Sequence, residues 1–545
     1  MSYNQDSSTT ILSNLFPPEL SLECDNILIP VKDYLKKGEQ FLRLNHLAGK
    51  SGHAIVSNYT SLIDTLLKTL YTFIETKIGG ASTSKNNCTL IALGGYGREE
   101  LNIRSDIDLM LLYPKKLLPS TEKLAQQLLY VLWDTGLNTG FSVRSLKECI
   151  NLAKDDIKTK TSVLDARYII GDTALFDELL RKIKTDVFNE KGTAAFIKEK
   201  IEESDLRRTR YGGSVYLLEP NVKEGEGGLR DMHTALWLAK VKQGITDIEG
   251  LKNSGILSDE EFKQLDESID FLWRVRNELH FESKRKLDQL TFDHQIRIAM
   301  VFGFRDSRES LGVEKFMQRY YLHASDTCHF SSLIISRCLH GYLTDMAGYV
   351  CEMEKVIDDD FRLCSNLLCV KDADLFQEKP YKMLKAFELK CLYNTNMDNM
   401  TKELILKNTN LIDNSFMAHR EARQSFINIL KSGRAYNTLE EMHRLRVLGR
   451  IIPAFEEIAC KVQHDMYHIY TIDAHCLFAV RELERLRTTG YKMEFFLLAT
   501  IFEEVSRPEL LTLAVLLHDI GKAKGKGHAE KGAEMITGIL EAMGF

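Results

Sequence analysis

Asp106 and Asp108 stand two residues apart around the apolar run Ile107 to Leu112. Side chains at i and i+2 of a strand share a face, so the pair presents two carboxylates to one side. Hard divalent cations prefer oxygen ligands, and a pair of them clamps the attacking and leaving oxygens of an in-line phosphoryl or nucleotidyl displacement. Upstream, a second apolar run, Thr89 to Leu93, ends in Gly94 and Gly95, with ten residues between Gly95 and Asp106. Without a Cβ these glycines let backbone come close to phosphates, with Ser105 and the N–H groups of Tyr96 to Arg98 as candidate donors. Arg98, Arg104 and Arg144 are candidate cations for a triphosphate, because the guanidinium fork matches phosphate oxygens. A structural or solvated role is the alternative for each arginine, and Arg98 is the foremost of them because it lies within the glycine turn.

A second constellation lies near the C-terminal end. His475 begins one predicted helix, and His518 with Asp519 closes another, LLTLAVLLHDIGK. Imidazole nitrogens and a carboxylate bind divalent ions that make a nucleophile of bound water. Lys522 can hold a phosphate, His528 can serve a second metal, and Gly521 ends the helix. The alternative for an isolated His-Asp pair is a core histidine beside a capping acid. A third segment, Leu217 to Lys240, places Gly225, Gly227 and Gly228 before a helix with Asp231 in its first turn. Helix starts attract anions, although the glycine and lysine order of a P-loop is absent.

These residues need elements to hold them. A chain of 545 residues exceeds one core and predicts three or four domains. Apolar residues recur at helical spacing over long stretches and only nine prolines occur, so the expected fold class is α+β and predominantly helical. The segments read as follows: a helical region at 1–85, with a polar start, the Pro17-Pro18 pair and amphipathic helices around Val31–Leu47 and Val56–Ile78; a loop at Gly79–Asn87; a small α/β domain at 86–172; nearly all helix over 173–345 and 346–440; and a final helical unit at 441–545. Within the α/β domain, Ser142 to Arg144 and Ser162 to Ile170 are expected strands. The second contains Asp165, the candidate third carboxylate if that strand pairs beside the aspartates; a salt bridge to Arg167 is its alternative.

The hydrophobic fraction of 44%, charged fraction of 27% and net charge of −6 give no general pull toward nucleic acid or anionic membrane. The amino terminus lacks a signal-peptide pattern, and no apolar run approaches the ~18 residues of a membrane span. The expected location is the cytoplasm. Eleven dispersed cysteines without a CxxC pair read as reduced thiols, with Cys364 and Cys369 in a helical-looking segment.

The string GGYGREEL…SDIDL resembles the DNA polymerase β nucleotidyltransferase superfamily, and among it the bacterial regulatory members. EPNVKEGEGGLRDMHTALWLAK at Glu219 to Lys240, FMQRYYLHA at Phe316 to Ala324 and IPAFEEIACKVQHDMYHIYTIDAH at Ile452 to His475 resemble signatures of the bifunctional PII uridylyltransferase/uridylyl-removing family. They stand in the same order as in that family, and the resemblance runs from residue 90 to 545. It implies a polymerase β-like catalytic core at 86–172, an associated helical domain at 173–345, a helical linker at 346–440 and a partial all-α HD phosphohydrolase domain at 441–545. It also implies UTP as substrate and transfer of UMP to a tyrosine of the nitrogen regulatory protein PII. Asp106, Asp108 and Asp165 would be catalytic, with Mg²⁺ at the first two; Gly94, Gly95, Arg98 and Ser105 would bind nucleotide. A multifunctional enzyme would add uridylyl removal at a Mn²⁺ or Mg²⁺ site of His475, His518, Asp519 and His528. The family pattern carries further HD ligands and two glutamine-sensing ACT domains after the region matched, so the sequence reads as truncated within the HD domain, with impaired hydrolysis. Spacing alone does not choose UTP over ATP. An adenylyltransferase on another regulatory protein and a catalytically silent nucleotide-binding regulator remain the alternatives.

Overall fold

The computed structural model describes residues 27–79, 87–307, 310–339, 354–364, 366–413, 415–462, 470–524 and 527–543. The polar start, the Pro17-Pro18 pair and most of the Gly79–Asn87 loop lie outside the described residues. The chain divides into two compact units: residues 1–215, 219–302 and 323–338 form the first, and 216–218, 303–322 and 339–545 the second.

The first unit is built on a four-stranded sheet of β1 (Thr89–Ala92), β2 (Ile107–Tyr113), β3 (Thr139–Ser145) and β4 (Arg167–Gly171), in the order β3-β2-β1-β4. β1 pairs antiparallel with β2 and β4, and β2 pairs parallel with β3. β1 and β2 are near-continuous apolar runs because both faces of the sheet are covered. Leu90, Ala92, Leu109 and Leu111 pack on one side with α1 (Leu28–Leu47) and α2 (Gly52–Gly79); Ile91, Leu93, Met110 and Leu112 pack on the other with Leu146, Ile150 and Leu179. The parallel connection from β2 to β3 runs through α3 (Pro119–Asp134), whose first turn uses Pro119 where no N–H bond is lost. Ser145 then ends β3 and opens α4 (Leu146–Asp155) with a reciprocal capping box to Glu148.

The expected strand at Ser162 to Ile170 is corrected. Asp156 caps α5 (Ile157–Leu164) through the Thr159 N–H, and the helix runs on until Asp165 terminates it. β4 begins only at Arg167, and its neighbour is β1, not the aspartate-bearing β2. After α6 (Thr173–Lys182) and α7 (Glu190–Arg210) come α8 (Leu229–Gln243), α9 (Asp259–Ser283), α10 (Phe292–Val301) and α11 (Gly312–Leu339). α8 is buried nearly all round, which is why its sequence lacks a polar stripe.

The second unit adds strands to a stretch expected to be nearly all helix. It contains a small sheet, β5 (Glu354–Val356), β6 (Phe361–Cys364), β7 (Leu367–Val370) and β8 (Asn396–Met397), paired in that order. Cys364 and Cys369 therefore sit on strands of a hairpin, turned at Asn366 with φ +62°. Short apolar runs such as LLCV carry no period long enough to separate helix from strand. α12 (Lys382–Tyr393), α13 (Arg420–Lys431), α14 (Ala435–Arg444), α15 (Ile472–Arg485), α16 (Pro508–Leu517) and α17 (His528–Ala542) complete it around one apolar core from Phe361 to Met543. No described helix is long and apolar enough to cross a membrane, and the nine described cysteines are all free thiols.

Candidate functional site

β1 delivers the chain to Leu93, whose N–H donates to the Asp108 carbonyl at 2.9 Å, and a single helical turn, Gly94–Gly97, follows. Gly94 has φ +54°, and a Cβ there would lie 3.2 Å from Asp108 Oδ2. Across the sheet, Gly140 of β3 is opposite Asp108, and a Cβ on it would lie 2.5 Å from Asp108 Oδ1. Gly95 differs: its Cβ would meet nothing nearer than 3.8 Å. Gly97 is needed for packing, since a Cβ would strike the Asp165 carbonyl oxygen at 2.0 Å. The loop between turn and β2 holds Glu99 and Arg104 at φ +63°, a conformation costly for residues with a Cβ.

Asp108 is the first acidic residue within β2, and Asp106 immediately precedes that strand. Burial pushes the Asp108 carboxyl above its ordinary range, and the Asp106 charge adds to the rise; Lys223, Lys286 and Arg98 act against it. Asp106 is half-exposed and takes a 2.5 Å ion pair from Lys286 Nζ. Two close oxygen-donor carboxylates, one of them desolvated, suit a hard divalent cation that would relieve their repulsion. Ser105 Oγ and Thr139 Oγ1 are buried without a hydrogen-bond partner beside this pair in sequence and register.

The third carboxylate expected at Asp165 is engaged elsewhere. Its side chain is buried, accepts from Arg98 Nη1 at 2.6 Å and from Trp237 Nε1 at 3.0 Å. Its alternative partner, Arg167, instead forms a fork onto Asp64 at 2.7 and 2.9 Å. Arg98 also binds Glu100 at 2.9 Å, and Glu100 binds His233 at 2.8 Å. Although burial opposes ionisation, Arg98 and His233 hold the Glu100 carboxyl down at about 2, and burial with Arg98 holds His233 down at about 3. Arg98 is thus clamped between two acids, and Arg104 is held by Glu39 at 2.5 Å. Arg144 pairs in register with Leu112, four residues along β2 from Asp108. The structure brings Gly94 to Asp108 and keeps Ser105 in the connecting loop; it commits Arg98, Arg104 and Asp165 to other partners.

In the second unit, His475 lies in the first turn of α15, and His518 follows α16 directly. Asp519 Oδ2 lies 3.8 Å from His475 Nε2, 3.3 Å from His518 Nε2 and 2.9 Å from Lys522 Nζ. One ligand atom from each of His475, His518 and Asp519 falls within 4.8 Å of the others, a set that fits one divalent ion; among the described residues it is the only such group of three. His528 is exposed and outside the set. Gly521 is fixed by contact, since a Cβ would meet the His528 carbonyl oxygen at 1.9 Å.

Four family models match in chain order: the nucleotidyltransferase model DUF294 at residues 39–141, "GlnD PII-uridylyltransferase" at 195–335, "Uridylyltransferase GlnD third domain" at 361–451 and "HD domain" at 495–545. The bifunctional uridylyltransferase/uridylyl-removing enzyme of Rhodospirillum rubrum is 34% identical over 530 residues, 95% of this chain and 56% of that protein. Its counterpart in Azospirillum brasilense is 32% identical over 526 residues, again 95% and 56%. That of Cereibacter sphaeroides is 34% identical over 466 residues, 85% and 50%. The chain belongs to the uridylyltransferase/uridylyl-removing family. It spans about half the length of the curated relatives it matches.

Nucleotidyltransferase and HD domains use divalent metals, and both donor sets described above fit such ions. The family's glycine-rich segment, Glu219 to Lys240, is arranged differently from a simple anion-binding helix start. Asp231 Oδ2 already accepts from the Gly227 N–H at 2.8 Å, and Oδ1 is bound by Arg207 at 2.6 Å. The glycines permit a tight turn against neighbouring backbone: a Cβ on Gly227, at φ +74°, would meet the Ala324 carbonyl oxygen at 2.3 Å. What the segment contributes to the aspartates is the charge of Lys223, which lowers the Asp108 carboxyl against the effect of burial. Sequence reading missed both Lys223 and Lys286; the unusual segment was a signal for the first, while the KRK run around Lys286 reads like any solvated basic stretch.

Proposed function

We propose that this chain transfers UMP from UTP to a tyrosine of PII, using Asp106 and Asp108 as the ligands of Mg²⁺. The observation that carries this reading is the convergence of Gly94 and Gly140 on Asp108, two residues without a Cβ on either side of its carboxylate, which leaves room there for a phosphate to approach. Bound divalent ions would neutralise the triphosphate and polarise the α-phosphate. Asp106 and Asp108 hold those ions, and the Gly94 turn brings backbone close to the phosphates. The tyrosyl oxygen forms its bond to the α-phosphorus, the bond to the bridging oxygen of the β-phosphate breaks, and pyrophosphate departs while the phenolic proton passes to water. Asp165 acts in this reading as the anchor that fixes Arg98 behind the glycine turn, not as a metal ligand.

The HD unit is proposed to remove the uridylyl group, with His475, His518 and Asp519 holding Mn²⁺ or Mg²⁺ and Lys522 facing the phosphate. Bound metal supplies a nucleophilic water. Free thiols throughout the described residues agree with work in the reducing cytoplasm. Incubation of the chain with labelled UTP or labelled ATP, Mg²⁺ and PII tests the central claim. Label on PII from UTP is the expected result; label only from ATP would make the chain an adenylyltransferase, and no label from either would make it a silent nucleotide-binding regulator.

A further inference from the structure

Two lysines face the aspartate pair from outside the sheet. Lys286 Nζ is bonded to Asp106 Oδ2 at 2.5 Å. Lys223 is half-buried in the turn before α8, and among the described residues no carboxylate is bonded to its ammonium. Its charge, like that of Lys286, acts on Asp108.

The segments that carry these lysines are tied backbone to backbone. The Val222 N–H donates to the Asp288 carbonyl at 2.8 Å, the Leu290 N–H donates to the Pro220 carbonyl at 2.9 Å, and Asn221 and Gln289 form an antiparallel bridge. The Asp288 side chain accepts from Arg276 Nε at 2.7 Å and lies 3.2 Å from His280 Nε2. Arg276 also bonds Asn102, Asn102 donates to Asn277 at 2.9 Å, and His280 Nδ1 meets the Ile103 carbonyl. Asn102 and Ile103 belong to the loop that leads to Ser105 and Asp106. A single buried network therefore fixes the catalytic loop and both lysines in one frame.

Lysine ammonium groups donate hydrogen bonds and cannot ligate a metal. Cations set beside carboxylates that themselves hold metal serve an anion. Arg98 and Arg104 are unsuited to that task, because Arg98 is committed to Asp165 and Glu100 and Arg104 to Glu39. The buried hydroxyls of Ser105 and Thr139 lack partners, an arrangement that calls for a ligand oxygen or water. Lysine acts on phosphate as a mobile point charge, which fits a group that must leave.

We propose that Lys223 and Lys286 form a clamp for the β- and γ-phosphates of the nucleoside triphosphate. This rests on the nucleotidyl-transfer reading but is indifferent to the base. With Asp106 holding a divalent ion, Lys286 would be left to bond a phosphate oxygen in place of that carboxylate.

The test is equilibrium binding of Mg²⁺ with inorganic tripolyphosphate, UTP or ATP to the full chain and to Lys223→Met, Lys286→Met and Lys223→Arg, with thermal melts of each. Each methionine variant is expected to bind tripolyphosphate and UTP roughly tenfold more weakly at unchanged Tm, the loss of one charge-assisted hydrogen bond, and Lys223→Arg to retain most of the affinity. Tripolyphosphate affinity equal to that of the parent in both methionine variants overturns the clamp, as does loss of UTP binding alone. A parent that binds tripolyphosphate and ATP but not UTP, with loss in the variants, keeps the clamp and overturns the uridylyl reading. A parent that binds none of the three overturns both.

Discussion

Gly140 sits against Asp108 across the parallel pairing of β2 and β3, so close that a Cβ would lie 2.5 Å from Asp108 Oδ1. The missing side chain sets where the carboxylate can point. Gly140→Ala must push Asp108 off its present rotamer or part the strands. Because Gly140 is exposed and on a strand, where glycine has no conformational advantage, the fold should survive at a cost of about 1 kcal/mol or less. Transfer to PII should fall at least tenfold. Label incorporation beside a thermal melt measures both, and normal labelling in a folded variant would mean that the Asp108 rotamer is not catalytic.

Asp108→Asn separates chemistry from stability in another way. Burial and the Asp106 charge raise the Asp108 carboxyl, so its ionised form opposes folding, and that opposition grows as pH rises through its folded value. Removing the charge should leave Tm at neutral pH equal or slightly higher, while transferase turnover drops by orders of magnitude. A lower Tm together with retained turnover would reverse both halves of this account.

That the glycine turn comes up against Asp108, and that His475, His518 and Asp519 come together, was legible in the sequence from short spacings and a His-Asp pair. Gly94 closely follows β1, Asp106 immediately precedes β2 and Asp108 lies within it, and His518 and Asp519 are neighbours. The bonding of Asp165 was not legible, because its partner Trp237 is seventy-two residues away and nothing local reveals it. Lys286 is remote from Asp106 in the same sense, by one hundred and eighty residues. The sheet of the second unit escaped notice because strands of two to four residues are shorter than any measurable period.

Asp165→Asn should therefore behave as a structural change. It leaves Arg98 buried with one acid instead of two, and breaking a buried pair costs on the order of 3 kcal/mol. The expected result is a clearly lowered Tm with divalent-ion affinity at the transfer site unchanged when measured below the melt, for instance by Mn²⁺ titration. A stable variant that has lost metal would restore Asp165 as a ligand.

In the HD unit the geometry separates two histidines. His518→Ala removes one of three converging ligands and should abolish tight metal retention there, whereas His528→Ala should keep the metal content of the parent. Transfer should be untouched by either, since the carboxylate pair belongs to the other unit. Metal analysis after dialysis against trace Mn²⁺, done in an Asp106→Asn, Asp108→Asn background, reads the HD site alone. Equal loss in both histidine variants would bring His528 into the metal shell.

The clamp also predicts a pH dependence. Burial, with Arg276 and Arg230 adding to it, lowers the Lys223 ammonium from its ordinary value near 10.5 to about 8; Asp288 and Glu224 only partly oppose them, and Lys223 in turn faces Asp108. The charged form binds phosphate, so it prevails below about 8 and is lost as pH rises through that value. Triphosphate affinity should hold steady up to about pH 7.5 and then fall, by no more than tenfold per pH unit because one proton is linked to binding. Bound phosphate favours the ammonium, so the fall begins somewhat later at saturating nucleotide. Lys223→Arg remains charged throughout and should flatten the profile, while Lys223→Met should be weak and flat. Tripolyphosphate affinities measured from about pH 7 to 9.5 for the three proteins decide it: parallel profiles for the parent and Lys223→Met would show that Lys223 is not the group that titrates against the phosphates.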